Sequence, residues 1–349
     1  MSFAHNNGLV GLRVLATLLV ALFHFELYYP LAGIKIFNGS YLCVEFFFVL
    51  SGFLLARKYF HSTETGSFKN FLKNRLVRLY PAYLFSLLVL PTVYAVTWFG
   101  GSYLRWLKDG THLPAFLSEI FMLQTTGIAG FEFINGPAWY VSALVLCSCF
   151  LFCLHKSIKV QKWYFWGAIS LTCYSVMMYC SCPEMSPAPW GLIRGMAGMT
   201  LGIFLEHVHM QYKGHIASFS LTTINFVEIL AFLFFMRMLL VRTHAVYNLF
   251  ILIPIAILIL SMLSQNRSFL SRALGSSRLF YLECISYQFY VVQSFCSNIF
   301  TCILKNVSGV TAYVYYVVLN ILVAIFIYEV IEKKFIPWFI NKNKRIIQL

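Results

Sequence analysis

Charge is scarce in this sequence. Only 11% of the 349 residues are Asp, Glu, Lys or Arg, and only 12 are acidic. A soluble domain cannot hold a chain that is 60% hydrophobic, with a mean hydropathy of +0.76, in water on so few charges. Long polar linkers, low-complexity stretches and separable soluble segments are missing too, so one membrane domain over residues 1–349 is expected. No internal repeat is visible, which counts against an inverted-repeat transporter. The ten cysteines lack a metal-type CxxC spacing. Cys147, Cys149, Cys153 and Cys173 fall inside apolar runs as small hydrophobes, and no metal is expected. The net charge of +14 would suggest nucleic acid only if the basic residues shared one soluble face. They fall in short loops between apolar runs instead, so no nucleic-acid partner is expected.

Long apolar runs are present throughout. A span needs about 20 apolar residues. Ten candidates occur, near 9–29, 41–60, 77–99, 137–154, 163–181, 190–207, 218–240, 245–263, 280–304 and 311–331. The expected fold is an all-α, polytopic transmembrane helix bundle. With both termini in the cytoplasm, the inner connections and the C-terminal tail hold eighteen of the 26 Lys and Arg. The outer connections hold six: Lys35, Arg105, Lys108, Arg237, Arg242 and Lys305. Arg13 and Arg194 lie within spans. This asymmetry supports ten spans with the N and C termini inside. The longest outer connection, about 100–136, contains "LPAFLSEIFMLQTTGI", read as an interfacial amphipathic helix or a re-entrant piece.

Three stretches carry polar chemistry into these runs. In "GLRVLATLLVALFHF", Arg13 and His24 are eleven residues apart, about three helical turns, so they project from one face roughly 16 Å apart. Ionisable groups within a span are costly and usually face a polar cavity. The structural alternative is that Arg13 snorkels to the interface while His24 bonds a neighbour's backbone. In "YLCVEFFFVLSGFLLARKYF", Glu45 needs a partner, either His24 or a buried arginine. Ser51-Gly52 lets a second backbone approach or the helix bend. In "FKNFLKNRLVRLYPAY", Arg75 and Arg78 share a helix face, and Lys69 and Lys73 extend the basic strip. Guanidinium pairs suit phosphate binding, while a plain positive-inside flank is the alternative.

Taken in order, these stretches resemble acyltransferase family 3, the integral membrane enzymes that O-acylate surface sugars and related acceptors. The resemblance runs on through "GPAWYVSALV" (Trp139, Ser142), "LECISYQFYVVQS" (Ser286, Tyr287, Tyr290) and "YEVIEKKFIP" (Glu332, Lys333), covering nearly the whole chain. The chain departs from the family pattern at Gln293, where a His often stands, and in "WYVSALV", which lacks the usual acidic residue.

The resemblance implies a multi-pass protein of the bacterial inner membrane. It implies an acyl-CoA donor, most often acetyl-CoA, and an acceptor hydroxyl on a surface glycan or a lipid-linked glycan such as an O-antigen precursor. Arg75, Arg78 and Lys73 would hold the donor phosphates, with Arg13 completing the polar network at that mouth. His24 would act as general base or transient acyl carrier, since imidazole titrates near working pH. Glu45 is the carboxylate expected to orient it. Backbone N–H groups around Ser51-Gly52 are candidate oxyanion donors. The competing reading is a transporter or flippase of lipid-linked saccharides.

Overall fold

The computed structural model describes residues 7–29, 36–61, 66–98, 112–130, 133–158, 162–180, 190–241, 245–264, 267–303, 307–335 and 337. The helices are α1 (Asn7–Tyr28), α2 (Cys43–Tyr59), α3 (Phe68–Trp98), α4 (His112–Ile120), α5 (Trp139–Ile158), α6 (Trp163–Tyr179) and α7 (Gly191–Ser218). They continue with α8 (Leu221–Leu240), α9 (Ala245–Asn248), α10 (Leu252–Ser264), α11 (Phe269–Leu274), α12 (Ser277–Ile303) and α13 (Gly309–Phe326). A π-helical segment, Ile327–Phe335, extends α13. Among the described residues, helices make up the regular structure, apart from one isolated bridge between Ile128 and Gly130. The all-α polytopic reading therefore holds.

All ten expected spans are helical, but only six helices among the described residues are long and apolar enough to cross a membrane. These are α1, α2, α3, α5, α8 and α13. The other four fall short for physical reasons. The 13 residues of α10 extend only about 20 Å at 1.5 Å per residue. The 17 residues of α6 are also short. Within α7, Arg194, Glu206 and His209 lower the hydropathy, and within α12 Gln288, Gln293, Ser294 and Asn298 do so; all of these are buried. Polar residues that face the bundle interior erase the signal by which a lipid-facing span is recognised. Several cations in the topology count, including Lys35, Arg105, Lys108, Lys159, Arg242, Lys305, Lys342, Lys344 and Arg345, lie outside the described residues.

The helices pack into two apolar clusters. The larger joins α2, α5, α6, α7, α8 and α10, with α1 and α3 packed along them. Its tightest crossing uses glycine at both sides. A Cβ on Gly52 of α2 would lie 1.9 Å from the Met199 carbonyl oxygen, and one on Gly202 of α7 would lie 1.9 Å from that of Val49. Only glycine permits this approach, which confirms Ser51-Gly52 as a backbone-contact device. The smaller cluster joins α1, α12 and α13. There Phe25 stacks on Tyr316 at 4.2 Å between centroids and meets Phe300 edge-on at 5.1 Å.

In the stretch at 112–130 and 133–138, read from sequence as an interfacial amphipathic helix or a re-entrant piece, α4 is an amphipathic helix. Apolar Leu113, Leu117 and Phe121 are exposed, while Ala115, Ser118 and Glu119 are buried. The Glu119 carboxylate accepts backbone N–H donors from Ile134 and Asn135. Asn135 in turn donates to the Val291 carbonyl of α12 at 3.0 Å and to Ser86 of α3 at 3.1 Å. This plug bonds to α3 and α12 through Asn135 and to α5 through Thr125 and Ser142. Burial pushes the Glu119 carboxyl up to about 8, against the opposing pull of its two backbone donors.

Candidate active site

His24 lies on α1 where that helix packs along α12. Its Nδ1 is 2.9 Å from the Val20 carbonyl oxygen one turn back. A ring nitrogen facing a carbonyl must carry the proton, so in the neutral imidazole Nε2 holds the lone pair. Phe23 braces the ring edge-on at 5.2 Å. The Gln293 carboxamide of α12 lies within interaction reach, yet its Oε1 and Nε2 are both buried without a closed hydrogen bond. Gln293 is the family departure noted in the sequence, and it stands next to the imidazole. Two further orphaned atoms lie nearby, Ser294 Oγ on α12 and Asn320 Oδ1 on α13. Asn320 Nδ2 is 3.4 Å from the Tyr316 hydroxyl, itself 3.5 Å from the Gln293 carbonyl oxygen.

Arg13 sits three turns before His24 and forms an ion pair with Glu283 of α12. Arg13, Arg75 and Arg78 converge from two different helices. Arg13 lies within electrostatic range of Arg78 and of the Tyr140 hydroxyl, and Arg75 lies within range of the same Tyr140 and of Arg78. Arg75 also covers the Phe71 ring at 5.3 Å. Tyr140 is 3.5 Å from Ser51 Oγ. Glu332, on the π-helical segment, faces Arg78 and accepts from Gln288 Nε2 at 2.7 Å. Lys73 is exposed on α3 and joins no described contact, so the structure brings together the arginines and leaves the lysine outside. Sequence reasoning missed Glu283 and Gln288. Their signal was the polar content of a nominal span, "LECISYQFYVVQS".

Glu45 requires a correction. It is fully buried, its Oε1 paired with Arg194 Nε of α7 and its Oε2 accepting from the Tyr174 hydroxyl of α6 at 2.7 Å. Arg194 is secured further by the Tyr41 carbonyl at 3.1 Å and by the Trp139 ring at 5.4 Å. Both Glu45 oxygens are thus committed, and among the described residues no hydrogen bond joins Glu45 to His24. The orienting acceptor for His24 is a backbone carbonyl. The oxyanion assignment to Ser51-Gly52 fails similarly, because their N–H groups lie inside α2 and belong to its hydrogen-bond ladder. Other motif residues fasten backbone. Ser142 donates to the Met122 carbonyl at 2.7 Å, Tyr287 to that of Leu79 at 2.7 Å, Tyr290 to that of Pro137 at 2.7 Å and Ser286 to that of Glu283 at 2.8 Å. Lys333 pairs with Glu329 at 2.8 Å.

The family model described as an acyltransferase domain matches residues 6–329, which takes in Arg13, His24, Glu45, Arg75, Arg78 and Gln293 and stops short of Glu332 and Lys333. The chain belongs to acyltransferase family 3. A relative from Rhizobium radiobacter, named "Protein 2 in picA locus", is 30% identical over 142 residues, covering 37% of this chain and 71% of that protein. No solved structure matches. As a member of acyltransferase family 3 the protein is a multi-pass membrane acyltransferase. The family motifs fall into two groups within its helices, one that meets at the arginine mouth and His24 and one that fastens backbone.

Proposed function

We propose that the protein transfers a short acyl group, acetyl in the first instance, from acyl-CoA to a hydroxyl of a cell-surface polysaccharide or its lipid-linked precursor. The observation that carries this reading is that Arg13 and Arg75 lie within electrostatic range of Tyr140 and both lie within range of Arg78, with His24 three turns along the helix that bears Arg13. Glu283 pairs with Arg13 and Glu332 faces Arg78, which leaves the three guanidinium groups with an excess of positive charge, and coenzyme A brings phosphates to match it. The excess of basic residues in alternate connections supports a cytoplasmic position for this mouth and for both termini, in a bacterial inner membrane.

The donor arm then runs along α1 toward His24. The neutral Nε2 accepts the acceptor hydroxyl's proton as that oxygen attacks the thioester carbonyl carbon. The C–S bond breaks, and the coenzyme A thiolate takes up the proton when it leaves. The resulting ester stays with the glycan. Gln293, Ser294 and Asn320 offer unpaired donors and acceptors for a sugar bearing several hydroxyls. The test uses membranes containing the protein, labelled acetyl-CoA and a lipid-linked glycan. Label entering an alkali-labile ester on the glycan is expected, and none should appear with His24→Ala. Movement of glycan across the membrane without donor and without ester formation would overturn the reading in favour of a transporter.

A further inference from the structure

A second cluster of ligating side chains lies where α2 ends against α7, apart from the arginine mouth. His61 follows the last turn of α2, and its Nε2 contacts Glu206 Oε2. Glu206 is fully buried, and its Oε1 has no partner. His207 is the next residue on α7, and its ring stands 5.2 Å from that of His61. One ligand atom from each of His61, Glu206 and His207 lies within 4.8 Å of the others.

Three features distinguish this from an ordinary surface ion pair. The orphaned Oε1 leaves a buried carboxylate half-satisfied, which is costly unless another cation or donor completes it. His207 Nδ1 is 2.9 Å from the Ile203 carbonyl, which fixes the proton there and turns the Nε2 lone pair outward. The accessible position of His61 leaves room for a water as fourth ligand.

We propose that His61, Glu206 and His207 form a site for a divalent transition-metal ion of the zinc type. Two imidazole nitrogens and one carboxylate make a donor set suited to zinc and unsuited to magnesium or calcium, which prefer oxygen alone. Zinc bonds of about 2.0–2.2 Å in a tetrahedral site place ligand atoms roughly 3.3 Å apart, so His61 Nε2 must back away from Glu206 Oε2 to admit the ion while the widest spacing closes. Rotation of the exposed His61 side chain supplies that movement. The ion clasps the end of α2 to α7. The chain leaving α2 leads into α3, which carries Arg75 and Arg78. The clasp therefore anchors the start of the helix that lines the arginine mouth. Residue spacing could not reveal it, because His61 and Glu206 are 145 positions apart.

The experiment is calorimetric titration of ZnCl2 into the full-length protein in detergent after chelator treatment. Thermal unfolding with and without the ion and the visible spectrum with CoCl2 are measured alongside. One equivalent of zinc should bind, raise the thermal midpoint and yield to Co2+ with the intense visible bands of a low-coordinate site, while MgCl2 has no effect. His61→Ala alters only an accessible side chain. It and His207→Ala should each weaken zinc binding at least tenfold, and His155→Ala, on a nearby imidazole outside the ligand set, should leave it within twofold. Zinc binding of wild-type strength in His61→Ala, or no saturable binding by the wild type, would overturn the proposal.

Discussion

Two buried polar clusters of this protein treat their hydrogen bonds differently. Around Glu45, both carboxylate oxygens are taken, and Arg194 is held by a carboxylate, a carbonyl and an aromatic face. Around His24, the Gln293 amide, Ser294 Oγ and Asn320 Oδ1 are buried without partners. A buried polar atom left unpaired costs about 1–3 kcal/mol, so helices that bury several are destabilised unless something else completes them. The saturated cluster is built to hold helices together. The unsaturated one leaves buried donors and acceptors open. Glu45 and His24 were both candidate site residues in the sequence, and the polar groups beside them differ in hydrogen-bond satisfaction.

The comparison breaks most sharply at His24. His24→Ala should lower acyl transfer by about 10²–10⁴-fold, with protein level and thermal midpoint nearly unchanged. His24→Gln should fail too, because an amide cannot accept the proton. Either variant retaining more than about a tenth of the activity would make the imidazole structural. The saturated cluster should behave in the opposite way. Glu45→Ala or Arg194→Ala strands a buried charge and should cost about 3–5 kcal/mol, read as loss of folded protein in membranes and a depressed midpoint in detergent. A Glu45→Ala protein that folds normally but has lost activity would move Glu45 back into the chemistry.

Smaller effects sharpen the contrast. Arg75→Ala and Arg78→Ala should raise the donor KM more than they lower kcat, since phosphate contacts bind ground and transition states alike. Lysine at either position should restore the KM only in part, because an ammonium lacks the planar fork. Donor titrations in membranes decide it, and an unchanged KM in the double alanine variant would return these arginines to membrane orientation. Gln293→Leu removes an amide whose two polar atoms are unpaired, so it should leave the midpoint unchanged or raise it while raising the acceptor KM. A marked loss of stability would mean that Gln293 belongs with the saturated type.

The smallest effect concerns the plug. Glu119 has its folded pKa raised to about 8 from the ordinary 4.5. A raised carboxyl contributes stability that is fully present below the unfolded value, and this contribution is lost as pH rises through the folded value. Wild-type stability should therefore decline between about pH 4.5 and pH 8 on this account. Glu119→Gln should flatten that part of the profile when thermal midpoints are compared across it. An unchanged pH slope in the variant would show that the two backbone N–H groups hold Glu119 ionised.

Much of the candidate site was legible because it is local. Arg13 and His24 fall on one face of α1 by helical periodicity alone, and Arg75 and Arg78 share a face by their i,i+3 spacing. Ser51-Gly52 announced a close backbone approach or a bend, and the structure has the approach at Gly52. The choice of partners was not legible. Glu45 was equally suited to His24 or to a buried arginine, and its actual partner lies 149 residues away on α7. Glu283, the partner of Arg13, is 270 residues distant, and Gln293 showed in the sequence only as a departure.

By itself, the sequence determined the membrane class, the helical spans, the asymmetry of basic residues and which residue types enter the apolar interior. These follow from hydropathy and from periodicities of a few residues, which the chain carries wherever it folds. Only the tertiary structure decided which charges neutralise one another and which polar atoms stay unpaired. In a low-dielectric interior, an ion or amide is satisfied by whatever group packing brings within about 3 Å, at any sequence separation. Packing brought Arg194 to Glu45, completing a brace, and brought Gln293 beside His24 with both of its amide atoms still unpaired.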